Sequence, residues 1–149
     1  RPMVLVLSQD GRIVSEAIAL LDADHVHHRT ARDWLTREGR AGWASCPITQ
    51  NGCIRILSHA RYPNAQPVSV VVGRLAEATA HPMHTFWPDD SSLLDGRHID
   101  PSRIHGTGRV TDVYLLALAT ARGGKLVTFD RSVVLDAVVG ASARNLERL

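Results

Sequence analysis

Apolar residues along this chain fall into short unbroken runs that alternate with longer stretches of helical spacing. Met3-Val4-Leu5-Val6-Leu7 is an unbroken run that stops at Ser8-Gln9-Asp10-Gly11, which predicts a buried strand followed by a turn. Ile13, Ala17, Leu20 and Leu21 then recur at helical spacing and predict a helix from Ile13 to Leu21. His28 to Glu38 reads as a second helix, with Trp34 and Leu35 inward and Arg29, Arg32 and Arg37 outward, ended by Gly39 and Gly42. Trp43 to Cys46 predicts a strand, and Pro47 to about Ser58 a helix with proline tolerated in its first turn. Tyr62 to Pro67 is a loop. Val68 to Ala80 is read as a helix, its length and later alanines outweighing the strand-like valines. His84 to Trp87 is a short strand stopped by Pro88, Ser91 to Leu94 a helical turn, and Ile99 to Gly108 a loop or short helix.

The clearest helix is Thr111 to Arg122, with Asp112, Leu115, Leu116 and Ala119 on one face at i, i+3, i+4 and i+7. Gly123-Gly124 ends it, Leu126 to Phe129 predicts a further strand, and Asn145 to Leu149 a short edge strand. Strands alternating with helices imply crossovers and a parallel sheet covered on both faces. In such a sheet the functional crevice lies beyond the carboxyl ends of the strands. Asp10, Asp130 and the Pro88-Asp89-Asp90 turn fall at such ends, and Asp112 opens a helix on the same rim.

Composition narrows the class. At 149 residues and 44% hydrophobic the chain is expected to be one globular domain spanning 1–149. Its apolar runs are too short to cross a bilayer. No signal-peptide pattern opens it, so a cytoplasmic location is expected, with secretion left open. A net charge of +2 does not announce a nucleic-acid binder. Lys125 is the single lysine against sixteen arginines, a bias that codon usage in a GC-rich genome explains more simply than phosphate recognition. Cys46 and Cys53 are read as buried, inert thiols.

Acids gathered on one rim repel unless a cation or basic group lies between them. Asp10, Asp112 and Asp130 offer the oxygen donors that Mg2+ or Mn2+ takes, with phosphate completing the shell. Such an ion lowers the pKa of a bound water and offsets charge on phosphate, and Arg109 or Arg131 is placed to hold a phosphate oxygen. Aspartate at a helix start is also a common cap, a lesser alternative for Asp112 beside the metal role.

The stretch Arg109-Val110-Thr111-Asp112-Val113-Tyr114-Leu115-Leu116-Ala117-Leu118-Ala119, followed by Leu126-Val127-Thr128-Phe129-Asp130, resembles the C-terminal half of PIN-domain ribonucleases, and most closely the VapC toxins. Trp43 to Ile56, Phe86-Trp87-Pro88-Asp89-Asp90 and Arg103-Ile104-His105-Gly106 are similar to further motifs of that group in the same order. The resemblance implies a three-layer α/β/α fold with a central, mainly parallel sheet of four to five strands. It also implies a Mg2+-dependent endoribonuclease, with Mn2+ as a substitute ion, a VapB-like antitoxin partner, tRNA or rRNA as substrate, and a homodimer.

Carried over by position, Asp112 is a metal-site carboxylate and Asp130 the strand-end acid that supports the metal or its water. Asp10 takes the place of the family's first acid if three residues are inserted; without a gap Ile13 falls there. Arg12 replaces a small polar residue, and Glu16 is a second candidate ligand. Gln50 stands where many PIN domains carry glutamate, and Thr111 and Arg109 are supporting residues. Ile13 and Gln50 also motivate an alternative: an impaired PIN domain that binds RNA or antitoxin.

Other patterns have plainer readings. The Asp22-Ala23-Asp24-His25-Val26-His27-His28 cluster lacks a second zinc half-site, and Asp24 is expected to cap the following helix. Asp89-Asp90 is expected to cap a helix. Ser45, Cys46 and His105 form no recognisable nucleophile–base pattern. Gly106-Thr107-Gly108 is too weak for a phosphate loop, and the three tryptophans are expected in the core. A phosphoacceptor receiver domain needs a lysine after a late strand, whereas Lys125 precedes one.

Overall fold

The structure, a computed structural model, describes residues 3–5, 8–9, 12–13, 22, 24, 28–38 and 42–149. Five strands, β1 (Met3–Leu5), β4 (Trp43–Ser45), β5 (His84–Phe86), β6 (Lys125–Thr128) and β7 (Leu146–Arg148), pair in the order β5-β4-β1-β6-β7. Every pairing in this sheet is parallel. The run at Met3 supplies the central strand, with Val4 opposite both Ala44 and Leu126. A continuous apolar run suits a strand buried on both faces.

A separate antiparallel pair joins β2 (Ser8–Gln9) to β3 (Arg12–Ile13), with Ser8 opposite Ile13. Arg12–Ile13 is therefore extended, where the spacing of Ile13 with Ala17 predicts the start of a helix. The rest of that predicted helix, residues 14–21, lies outside the described residues.

Helices α1 (His28–Glu38), α2 (Pro47–Leu57), α3 (Val68–Thr79) and α4 (Val110–Ala121) join or flank these strands. Successive strand side chains point to opposite faces, and β6 uses both. Leu126 packs into the cluster built on α4, while Val127 meets Trp34 of α1, which is fully buried. Helix α2 lays Cys53 and Leu57 against Val71 and Leu75 of α3.

Asp112 to Ala119 of α4 are all buried, so this helix is enclosed rather than amphipathic. Its second side is covered by Trp87, Ile99, Val133, Ala137 and Val138, which join the same cluster. Helix α4 ends in a Schellman turn, in which the N–H of Gly124 donates to Ala119 O and that of Gly123 to Thr120 O. Gly123 takes φ +65°, a conformation only glycine adopts without strain. That turn reverses the chain directly into β6.

Among the described residues no helix is long and apolar enough to cross a membrane. Val68, Val70 and Val72 of α3 are exposed.

Candidate active site

Helix α4 and strand β6 run in opposite directions across the Gly123-Gly124 turn. From that turn, Asp112 lies about nine residues back along the helix, roughly 14 Å at helical rise. Asp130 lies about five residues forward along the strand direction, roughly 17 Å at strand rise. Both carboxylates thus arrive at the carboxyl rim of the sheet, as their positions in the sequence predict.

A direct contact ties the two ends. Arg109 sits on a 3-10 turn (Thr107–Arg109) that enters α4 after Gly106, whose φ is +96°. Its Nη1 donates to Asp130 Oδ2 at 3.4 Å and also to the Ser132 hydroxyl. The N–H of Ser132 donates to Asp130 Oδ1 at 2.8 Å, and the Ser132 hydroxyl donates to the same oxygen. The Asp130 N–H in turn donates to Thr128 Oγ1 at 3.0 Å. Asp130 is therefore fixed by its own turn, and both of its carboxylate oxygens are engaged.

Asp112 is 3% exposed and lies in the first turn of α4, where the helix dipole favours negative charge. Thr111 precedes it and is half-buried; Arg131 is exposed. Asp10 and Glu16 lie outside the described residues. Among the described residues no group of three or more His, Cys, Asp or Glu is placed to hold a metal.

The acids present are nevertheless of the right chemical type. Carboxylate oxygens suit Mg2+ or Mn2+, while the nearby thiol does not compete. Burial pushes the Cys46 thiol up, against hydrogen bonds from Thr49 that lower it, and the charge of Asp89 raises it further.

The first turn of α2 faces this rim. Pro47 opens the helix, and Thr49 closes it by accepting from the Cys46 N–H at 3.1 Å and donating to Cys46 O at 2.9 Å. Burial pushes the Tyr114 phenol up, and the charges of Asp89 and Cys46 act in the same direction, which places the Cys46 turn beside the first turns of α4. Gln50 Nε2 donates to Ser45 Oγ at 2.9 Å, and that hydroxyl meets His84 Nε2 at 2.8 Å.

Two sequence expectations are corrected, while the cap expected of Asp24 falls on residues 25–27, which lie outside the described residues. Asp24 accepts from Asn64 Nδ2 at 3.0 Å. Asp22 accepts from the Tyr62 hydroxyl, so both acids of the Asp-His cluster bind the α2–α3 loop. No helix follows Asp89-Asp90: Asp90 pairs with Arg122 at 2.5 Å, and Asp89 acts on Cys46 and Tyr114. Trp34 and Trp87 are buried as expected, but Trp43 is only half-buried.

The contact between Ser45 and His84 escaped the sequence reading. It spans 39 residues, so no local spacing announces it.

The sequence profile of the PIN domain matches residues 15–140. Ribonuclease VapC44 of Mycobacterium tuberculosis strain H37Rv is 49% identical over 136 residues, covering 91% of this chain and 96% of that protein. Ribonuclease VapC39 of the same strain is 40% identical over 128 residues, covering 85% of this chain and 92% of its own length. Ribonuclease VapC38 is 38% identical over 121 residues, covering 80% and 84%.

Proposed function

The chain belongs to the PIN-domain family, with the VapC ribonucleases, and from that premise we propose that it is a metal-dependent endoribonuclease toxin that cuts RNA phosphodiester bonds. The observation that carries the reading is the meeting of the α4 entry and the β6 exit, where Arg109 reaches Asp130 on the rim that also receives Asp112. High identity to ribonucleases favours an active enzyme over an impaired binding module.

The residues take distinct roles. Asp112 supplies a buried carboxylate to a Mg2+ or Mn2+ ion, with Asp10 as the proposed second acid and Glu16 as its substitute. A cation bound there supplies an acidified water and offsets charge on the phosphate. Asp130, engaged on both oxygens, anchors Arg109 at the rim rather than serving as a direct ligand. Arg109 is 38% exposed and keeps further N–H donors for a phosphate oxygen. Thr111 and Gln50 support the rim from the starts of α4 and α2.

The same proposal includes a single domain over 1–149 with the complete three-layer α/β/α arrangement. It also includes a VapB-like antitoxin, a tRNA or rRNA substrate, a cytoplasmic location, and a homodimer that uses the exposed valines of α3. Structured RNAs incubated with the purified chain and Mg2+ test the activity. Cleavage that stops on adding EDTA and in Asp112→Asn supports it; cleavage indifferent to both sinks the metal mechanism.

A further inference from the structure

An amide side chain can face a site with either of two edges, and its neighbours decide which. Around Gln50 the decision runs through two hydrogen bonds and the backbone beside them. The backbone of Thr79, the last residue of α3, raises the pKa of the His84 ring, the sign expected where a carbonyl faces a ring N–H. A helix leaves such terminal carbonyls in need of donors. Because Nε2 of His84 meets Ser45, the ring nitrogen left to face Thr79 is Nδ1. The neutral ring with its proton on Nδ1 makes Nε2 an acceptor, so the Ser45 hydroxyl must donate to it at 2.8 Å. Ser45 Oγ then has only lone pairs left to offer. The edge of Gln50 that binds it must be the NH2, as the 2.9 Å Nε2 contact has it.

The ring of His84 is held in turn by Trp43, with centroids 4.4 Å apart and planes tilted by 59°. Ser45 and Trp43 lie on β4, His84 on β5 and Thr79 on α3, so three elements fix one amide. Gln50 itself lies in the first turn of α2, which follows β4 onto the rim.

We infer that the His84–Ser45 pair, with Thr79 beside the ring, locks the Gln50 amide with its carbonyl oxygen, not its NH2, presented to the acidic rim, so that Gln50 accepts a hydrogen bond from the attacking water. Ser45 and His84 are then positioning residues. This rests on the ribonuclease reading above. It also explains how glutamine serves where many PIN domains carry glutamate: a carboxylate has two equivalent oxygens and no wrong way round, whereas an amide must be oriented.

The test is a double-mutant comparison with a spectroscopic check. With Gln50 present, Ser45→Ala and His84→Ala each lower kcat for Mg2+-dependent RNA cleavage about tenfold with KM little changed, as expected for loss of one orienting bond. In the Gln50→Glu background the cost of either substitution shrinks to about twofold or less. An undiminished cost in that background overturns the inference, because it marks a merely structural role.

Independently of activity, 15N spectra of the metal-free protein show His84 as the Nδ1–H tautomer and slowed exchange of the Gln50 NH2 protons. Ser45→Ala abolishes that protection. An Nε2–H tautomer, or unprotected NH2 protons in the unsubstituted protein, also overturns it. If the unsubstituted protein cleaves no RNA with Mg2+, the ribonuclease reading fails, and the spectra still decide the orientation of the amide.

Discussion

Replacing Asp112 with asparagine removes a charge and keeps the shape of a side chain that is 3% exposed. The start of α4 favours that negative charge by about 0.3–1 kcal/mol. A second carboxylate, Asp130, shares the rim, and Arg109 at 3.4 Å offsets its charge. At about one hundred times its Kd a ligand stabilises the folded state by ~2.7 kcal/mol, and only the chain that keeps Asp112 gains it. In a chain of this size each kcal/mol is worth roughly 2–4 °C in melting temperature. Thermal unfolding at pH 7, in EDTA and in saturating Mg2+, therefore shows Mg2+ raising the midpoint of the unsubstituted protein by roughly 5–11 °C and that of Asp112→Asn by little. An equal gain from Mg2+ in both proteins refutes the assignment of Asp112 to the metal.

Leu116→Ala opens a cavity in α4, which the sheet covers on one side and the Val133–Val138 segment on the other, and costs about 2–5 kcal/mol in urea unfolding. Cys46 and Cys53 are both buried, and burial pushes the Cys46 thiol up; a maleimide at pH 7 leaves both unmodified until the protein is unfolded. His84 has its pKa lowered below 6.5, chiefly by burial, so the unfolded chain takes up that proton first. Its share of stability is present above pH 6.5 and is lost as the pH falls through the folded-state value. Unfolding midpoints measured downward from pH 7 thus decline less steeply in His84→Gln.

The placement of Asp112 and Asp130 could be read from the sequence because they sit at the ends of strongly patterned elements. The apolar run of α4, the paired glycines after it and the short β6 fix where Asp112 and Asp130 emerge, with no need of distant contacts. The all-round burial of α4 was not evident, since it depends on Ile99 and Val133 to Val138 folding over the helix from elsewhere in the chain. Ile13 shows how a helical spacing misleads: its match with Ala17 coincides with a residue that pairs with Ser8. Asp89 and Asp90 resemble caps, but the chain after them turns without forming a helix, and Arg122 claims one of them. The bonds that orient Gln50 join α2, β4 and β5, and no window of the sequence contains them.

Anomalous diffraction from crystals grown with Mn2+ tests the central claim most directly. The account predicts a peak bonded to a carboxylate oxygen of Asp112, at about 2.0–2.3 Å as expected for a small divalent ion. Asp130 remains turned to Arg109 and Ser132 beside it. A rim without manganese at saturating concentration, or an ion held elsewhere while Asp112 makes no contact with it, contradicts the account.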